Sequence, residues 1–143
     1  MSTYSIREVI NKVSEGVLRI PKFQRGFVWD SDSVAFLMDS IYKDYPFGTV
    51  QLWRTKEPLI TERHFGPFEL FDREADYPID YVLDGQQRIT SIFGTFQTDI
   101  ELPEEKDNPF AIYFDYSIDE DQQESQFLYL QEDEVDGAKH FPL

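Results

Sequence analysis

A short polar motif stands between an apolar run and a helical pattern, and it constrains the fold more than any other segment. The motif consists of five consecutive residues: Asp84, Gly85, Gln86, Gln87 and Arg88. The three residues before it are apolar, and apolar residues recur at helical spacing over residues 89–96. This order predicts a strand, a tight turn and a helix. The polar side chains are therefore expected to gather in the turn.

The predicted turn has the chemistry of an anion site. A helix N-terminus presents unpaired backbone N–H groups and the positive end of the helix dipole. Gly85 lets the backbone approach a ligand closely, and Arg88 adds a planar charged fork that fits a phosphate. The alternative is an ordinary turn in which Asp84 is the N-cap and Arg88 has no special role. The motif alone does not decide between these two interpretations.

Two further blocks precede the motif, with the sequences IPKFQRGFVW at residues 20–29 and YPFGTVQLWR at residues 45–54. Together the three blocks resemble the N-terminal domain of GmrSD-type modification-dependent (Type IV) restriction systems, which carries a DGQQR signature. The resemblance extends from residue 6 to the end of the chain. It implies an α+β fold of the ParB/sulfiredoxin-like superfamily, with a small mixed sheet and packed helices.

The resemblance also implies a function. It points to a nucleotide-binding and NTP-hydrolysing domain of a restriction or anti-phage defence protein, which regulates DNA cleavage by an attached or partner HNH-type nuclease. Modified DNA would be sensed through the full-length protein. The alternative is a non-hydrolytic module that senses phosphate, nucleotide or DNA and acts as an allosteric switch. Homo-oligomerisation is left open.

Residue roles follow from this implied activity. Arg25 and Arg88 would neutralise the phosphates, with Gly85 allowing close approach of the backbone. Gln86 or Gln87 would orient the attacking water. Asp84 would bind Mg²⁺ or another divalent cation, or would hold Arg88 or the backbone in place. The alternative for Arg25 is a salt bridge with a nearby acid. The chain has no GxxxxGK[ST] P-loop, so nucleotide binding would need a different geometry.

Length and composition indicate one folded domain. The chain has 143 residues, of which 41% are hydrophobic and 16% aromatic, enough to build a core. No cysteine is present, which excludes disulfides and thiolate metal sites. No apolar run reaches the length of a membrane span, and no secretion signal is recognisable, so a cytoplasmic location is expected. We expect a single domain over residues 1–143, the N-terminal fragment of a longer protein.

Negative charge is concentrated in the last third of the chain. Residues 1–98 contain 11 Lys/Arg and 14 Asp/Glu, whereas residues 99–143 contain 2 and 14. Such an acidic segment repels nucleic-acid backbones and argues against strong autonomous DNA binding. It is either a solvated face that favours solubility or a docking surface for a basic partner domain.

Helix and strand signals along the chain predict the remaining elements. A capping box at Ser5 and Glu8 predicts a first helix, which Gly16 closes. A second helix is expected to begin near Asp30 and to end before residue 45. Residues 55–80 are expected to be mainly loop, and the third helix ends at about Phe96. Strands are predicted at residues 17–20, 50–53, 68–71, 81–83, 111–116 and 127–130.

Other aromatic and histidine residues give weaker signals. Core packing is the default expectation for Phe23 and Phe27, with stacking on a nucleic-acid base as the alternative. His64 and His140 are too far apart in sequence, and too poorly accompanied by other ligands, to suggest a metal site. Structural or surface roles are expected for both.

Overall fold

The computed structural model describes residues 3–24, 26–46, 48–62, 64–65, 67–70, 77–102, 108–119 and 124–143. The helices are α1 (Ile6–Ser14), α2 (Ser31–Tyr42) and α3 (Gln86–Phe96). The strands are β1 (Leu18–Pro21), β2 (Gln51–Thr55), β3 (Thr61–Glu62), β4 (His64–Phe65), β5 (Phe68–Glu69), β6 (Ile79–Asp84), β7 (Ile112–Asp115), β8 (Phe127–Tyr129) and β9 (His140–Pro142). A short 3₁₀ helix spans Glu132–Glu134. The predicted α+β class is confirmed.

The chain divides into two compact units, each built from two separate stretches of sequence. Unit 1 comprises Met1–Val28 and Gly48–Lys106. Unit 2 comprises Trp29–Phe47 and Asp107–Leu143. None of the helices within the described ranges combines the length and the apolar character that crossing a membrane requires.

Unit 1 contains a four-stranded mixed sheet with the strand order β2-β6-β1-β3. Strand β6 runs parallel to β1 and antiparallel to β2, and β3 is antiparallel to β1. Strands β4 and β5 form a separate antiparallel pair. The expected small mixed sheet is therefore present, and its central strand β6 leads directly into the polar motif.

Local signals at both ends of α1 determine its extent. The backbone N–H of Ser5 donates to Glu8 Oε2 at 2.6 Å, and the backbone N–H of Glu8 donates to Ser5 Oγ at 3.2 Å. Both hydrogen bonds of the predicted capping box are thus confirmed. Gly16 follows the helix with a φ of +76°, which is the left-handed conformation that favours glycine at a helix C-terminus.

An ion pair between an exposed arginine of β2 and a buried aspartate of β6 joins these two strands. Arg54 Nε and Nη2 donate to the two carboxylate oxygens of Asp80 at 2.8 and 3.1 Å, across the β2–β6 pairing. Asp80 is buried, and its hydrogen bonds and charge raise the pKa of Arg54. The fork-shaped contact joins two residues that are direct partners across the β2–β6 pairing, and it therefore favours the observed register.

Unit 2 is a three-stranded antiparallel sheet, ordered β8-β7-β9, with α2 packed mainly on β8. The buried carboxylate of Asp39 on α2 accepts hydrogen bonds from Lys43 Nζ and from the backbone N–H of Gln126, both at 3.0 Å. The lysine and the backbone N–H together satisfy a carboxylate that would be costly to bury alone.

His140 has a structural role, as expected. Its Nε2 lies 3.4 Å from Asp115 Oδ2, and its Nδ1 accepts a hydrogen bond from the backbone N–H of Asp136 at 2.8 Å. Both ring nitrogens are therefore engaged within unit 2, and neither is available to a substrate. Burial alone would raise the pKa of Asp115, but hydrogen bonds from Ser117 and the neighbouring imidazole lower it overall.

Several short strands differ from the sequence prediction. Strands β3 and β4 lie in the region that was expected to be loop, and β9 occupies a C-terminal stretch where no strand was predicted. Strands of two or three residues carry too little periodic pattern to be recognised, and they form because a partner strand is available. Of the predicted strand at residues 68–71, the structure contains Phe68–Glu69, and residue 71 lies outside the described residues.

Candidate functional site

The motif at residues 84–88 forms a tight turn between β6 and α3, as predicted, and we call it the polar turn. Gly85 is the N-cap of α3 and has a φ of +95°, a conformation that side chains with a Cβ rarely adopt. A Cβ at this position would lie 2.9 Å from Val50 Cγ2. The position therefore requires glycine both for its backbone conformation and for its contact with Val50.

The N-terminus of α3 has no side-chain cap, because its N-cap residue is glycine. No acidic residue stands in its first turn either. The positive end of the helix dipole therefore has no negative side chain from within that turn to compensate it. Asp84 is not the N-cap, so the interpretation of the motif as an ordinary Asp-capped turn is wrong.

The guanidinium group of Arg88 lies against the backbone of residues 48 and 49. Its Nη1 donates to the carbonyl oxygen of Thr49 at 2.7 Å. Gly48, with a φ of +98°, makes room for it, since a Cβ there would lie 2.9 Å from Arg88 Nη2. Arg88 is partly exposed, and within the described ranges no carboxylate forms an ion pair with it. One of its five N–H donors is used in this hydrogen bond, and its charge is not neutralised by a described partner.

The side chain of Gln87 holds the loop of residues 22–28, which we call loop 22–28. Its Oε1 accepts from the backbone N–H of Val28 at 2.9 Å, and its Nε2 donates to the carbonyl oxygen of Gly26 at 3.2 Å. Both ends of the amide are thus engaged by the protein backbone. This geometry makes Gln87 a residue that positions the loop.

A second glutamine binds the same loop to the strand that precedes the polar turn. Gln24 Nε2 donates to the carbonyl oxygens of Val82 and Leu83 at 2.6 and 3.2 Å. The local sequence does not distinguish Gln24 as a site residue, because its partners are 58 and 59 residues away. The only sequence signal was its place in the IPKFQRGFVW block.

The side chains of Asp84 and Gln86 remain available. Asp84 is exposed and Gln86 is partly exposed, and neither side chain has a hydrogen-bond partner among the described residues. The polar turn therefore contains the guanidinium of Arg88, the carboxylate of Asp84 and the amide of Gln86, and most of their hydrogen-bonding groups have no partner among the described residues. Arg25, the remaining candidate residue, lies outside the described residues.

A bound cation would have to rely on few protein ligands. Among the described residues, no group of three or more His, Cys, Asp or Glu side chains is arranged to hold a metal ion. Mg²⁺ commonly uses one or two carboxylates and completes its octahedron with water and phosphate oxygens. The unpaired carboxylate of Asp84 fits that limited role.

Exposed apolar side chains accompany the polar turn. Phe23 is 74% exposed in loop 22–28, and Leu83, the residue before Asp84, is 45% exposed. The expectation that Phe23 packs in the core is therefore wrong. Hydrogen bonds of the Gln24 side chain and of the Val28 backbone hold the described parts of loop 22–28, and none of them requires burial of the Phe23 ring.

Comparison with known proteins yields one family and one relative. A family model described as the GmrSD restriction endonuclease N-terminal domain matches residues 6–140. A protein of Methanocaldococcus jannaschii, which bears the name uncharacterized protein, is 28% identical over 130 residues. That match covers 79% of this chain and 20% of the relative, so the chain spans about one fifth of the length of the relative. No solved structure matches the chain.

Proposed function

Because the chain belongs to the GmrSD restriction endonuclease N-terminal domain family, we propose that its polar turn binds and hydrolyses a nucleoside triphosphate with Mg²⁺ as cofactor. Family membership makes the chain a domain of the restriction-system class. The observation that carries the proposal is Arg88, which is fixed at the first turn of α3 and has no described carboxylate partner. A fixed, unneutralised guanidinium beside an uncapped helix N-terminus suits a phosphate group.

The proposed roles follow from which groups are free. Arg88 neutralises charge on the phosphates, and Arg25 is proposed as a second cation. Asp84 holds the Mg²⁺ ion, which supplies further charge neutralisation when it is bound. Gln86 orients the water that attacks the terminal phosphorus. The bond from that phosphorus to the bridging oxygen breaks and releases the nucleoside diphosphate and inorganic phosphate, and one proton of the water stays on the phosphate while the other leaves to solvent. Gln87, whose amide is engaged, serves by positioning loop 22–28.

The proposal extends to the whole protein. We propose that the unit 1 sheet and its helices have a ParB/sulfiredoxin-like architecture. We also propose that the chain acts as the N-terminal, cytoplasmic domain of a longer protein that senses modified DNA. In that protein, nucleotide turnover regulates cleavage by an HNH-type nuclease domain or subunit. The short coverage of the relative is consistent with a larger protein.

The test is thermal unfolding of the chain with ATP, GTP and CTP, each with and without Mg²⁺, followed by a phosphate-release assay. A ligand at one hundred times its dissociation constant stabilises the folded state by about 2.7 kcal/mol. We expect Arg88→Ala to abolish both the stabilisation and phosphate release. Arg7→Ala is the matched control, because Arg7 is exposed and lies on α1. Equal stabilisation and turnover in Arg88→Ala would contradict the proposal.

A second candidate function is a nucleotide-dependent switch without turnover. The observation in its favour is the pair of glutamine side chains that connect loop 22–28 with both sides of the polar turn. A ligand that moved the turn would then also move the loop. Recovery of intact nucleotide after long incubation with Mg²⁺, together with Arg88-dependent stabilisation, would favour the switch over the hydrolase.

A further inference from the structure

One face of the unit 2 sheet is only partly covered by α2. Alternate residues of a strand point to the same face, so Phe114 and Tyr116 lie on one side of β7 and its extension. Phe127 of β8 and Phe141 of β9 are the direct neighbours of Phe114 across the sheet. The ring of Tyr42 on α2 lies 5.5 Å from that of Phe114, which shows that α2 packs on this face.

The helix covers the β8 side of the face and leaves the β9 side open. Phe127 is buried at 6% exposure, whereas Phe141 remains 54% exposed and Tyr116 remains 56% exposed. Tyr42 is 52% exposed at the border of the helix. The rings of Phe114 and Tyr116 are 5.6 Å apart, so the open part is continuous. We call Tyr42, Phe114, Tyr116 and Phe141 the aromatic face.

Acidic residues border this sheet at both of its ends. The 3₁₀ helix Glu132–Glu134 follows β8 at one end, and exposed Asp119 and Glu124 lie between β7 and β8 at the other. Unit 2 contains 14 acidic residues and 2 lysines. One of these, Lys43, has a buried side chain that is paired with Asp39 at 3.0 Å. The other, Lys139, is exposed and lies opposite Tyr116, whose backbone N–H donates to the Lys139 carbonyl oxygen at 2.9 Å. The field around unit 2 as a whole is nevertheless negative, because its acidic residues outnumber its lysines 14 to 2.

From this combination we propose that the aromatic face is the docking site for an arginine-rich segment of a basic partner protein. A guanidinium group stacks on the faces of tyrosine and phenylalanine rings and pairs with carboxylates at the same time. A nucleic acid would be repelled by the acidic border. A second copy of the chain would bring two units of net charge −12 together, which opposes self-association through this face. The inference does not depend on the proposed nucleotide site.

The experiment compares fluorescein-labelled nona-arginine and nona-lysine peptides by fluorescence anisotropy with the full chain. Both peptides have the same charge, so a purely electrostatic surface binds them alike. We expect the wild type to prefer nona-arginine, and the double variant Tyr116→Ser/Phe141→Ser to bind it about tenfold more weakly, since each exposed cation–π contact contributes about 0.5–1 kcal/mol. Nona-lysine binding should change little.

The matched control is Phe36→Ser. Phe36 is 61% exposed on α2, and within the described residues it makes no ring contact with the aromatic face. Its removal should leave both affinities unchanged. Thermal unfolding verifies that each variant is folded. If the double variant is unfolded, the single variant Tyr116→Ser replaces it, and it should weaken nona-arginine binding more than nona-lysine binding.

Three results would overturn the proposal. The first concerns the peptides: the wild type binds nona-arginine and nona-lysine with equal affinity, or the folded double variant binds nona-arginine as tightly as the wild type does. The second is preferential binding of a DNA duplex that the double variant loses. The third is concentration-dependent dimerisation, measured by analytical ultracentrifugation, that the double variant abolishes; this would assign the face to a second copy of the chain.

Discussion

Replacing Gly48 by alanine tests how Arg88 is held. Gly48 has a φ of +98°, and a non-glycine residue in such a region costs about 1–3 kcal/mol of stability. The new Cβ would also lie 2.9 Å from Arg88 Nη2 and 3.0 Å from Cζ. The guanidinium is the flexible end of a long side chain, so it moves away. We expect it to lose the 2.7 Å hydrogen bond to Thr49 when it does so.

The assay is urea denaturation arranged as a double-mutant cycle with Arg88→Ala. In the wild-type background, Gly48→Ala combines backbone strain with displacement of the guanidinium. In the Arg88→Ala background, the strain alone remains, so the cost should be smaller. The difference between the two measures the contact between the residues, and contacting pairs typically couple by about 0.5–3 kcal/mol. Gly137→Ala is the control, because a Cβ there has no atom within 4 Å.

Two outcomes would refute this reasoning. If Gly48→Ala costs no more than Gly137→Ala, the positive φ and the close approach of Arg88 are not features of the folded protein. If the cost is the same with and without the Arg88 side chain, the guanidinium is not seated against residue 48. In the second case, nucleotide-dependent stabilisation should also survive Gly48→Ala, which would remove the geometric basis of the proposed site.

Three further predictions concern single side chains. Gln87→Ala should destabilise the chain by about 1–2 kcal/mol in urea denaturation, because two solvent-exposed hydrogen bonds to loop 22–28 are lost. An unchanged midpoint would contradict the proposed role of Gln87 in holding the loop. Asp84→Asn should leave stability unchanged, because its exposed carboxylate has no described partner, but should remove the Mg²⁺-dependent part of nucleotide stabilisation; persistence of that part would exclude Asp84 as the metal ligand. Folding lowers the pKa of Asp115. The stabilisation that its ionised carboxylate contributes is therefore complete above the unfolded-state pKa of about 3.9, and it is lost as the pH falls through the folded-state pKa. The difference in free energy of unfolding between wild type and Asp115→Asn should therefore shrink below about pH 4. A difference that grew on acidification would mean that folding raises the pKa of Asp115.

The parts of the fold that local sequence determines were predicted well. The capping box at Ser5 and Glu8 and the glycine at position 16 are signals read within a few residues of the helix they delimit. The strand, turn and helix at residues 81–96 are also predicted by the local sequence, because the spacing of apolar residues changes from a strand pattern to a helix pattern at Gly85. Such features need no knowledge of distant contacts.

Contacts between distant residues explain what the sequence did not reveal. Gln24 and Gln87 find their partners about sixty residues away, and nothing in their local pattern distinguishes an amide that holds a loop from one that faces a ligand. The exposure of Phe23 depends in the same way on how its loop is anchored. Strand β9 exists because β7 offers it a free edge, which no property of three isolated residues can indicate.

Each unit consists of two separate stretches of sequence, so neither unit can be obtained by a single truncation of the chain. A truncation after residue 106 would keep every residue of unit 1, yet it would also keep α2, whose partner strands β7 and β8 would be gone. The apolar side of that helix, with Val34, Leu37 and Met38, would then face water. Such a fragment should aggregate, whereas one that also replaces residues 29–47 by a short flexible linker should stay dispersed. Isolating unit 1 with its proposed nucleotide site therefore requires an internal excision as well as a shortened C-terminus.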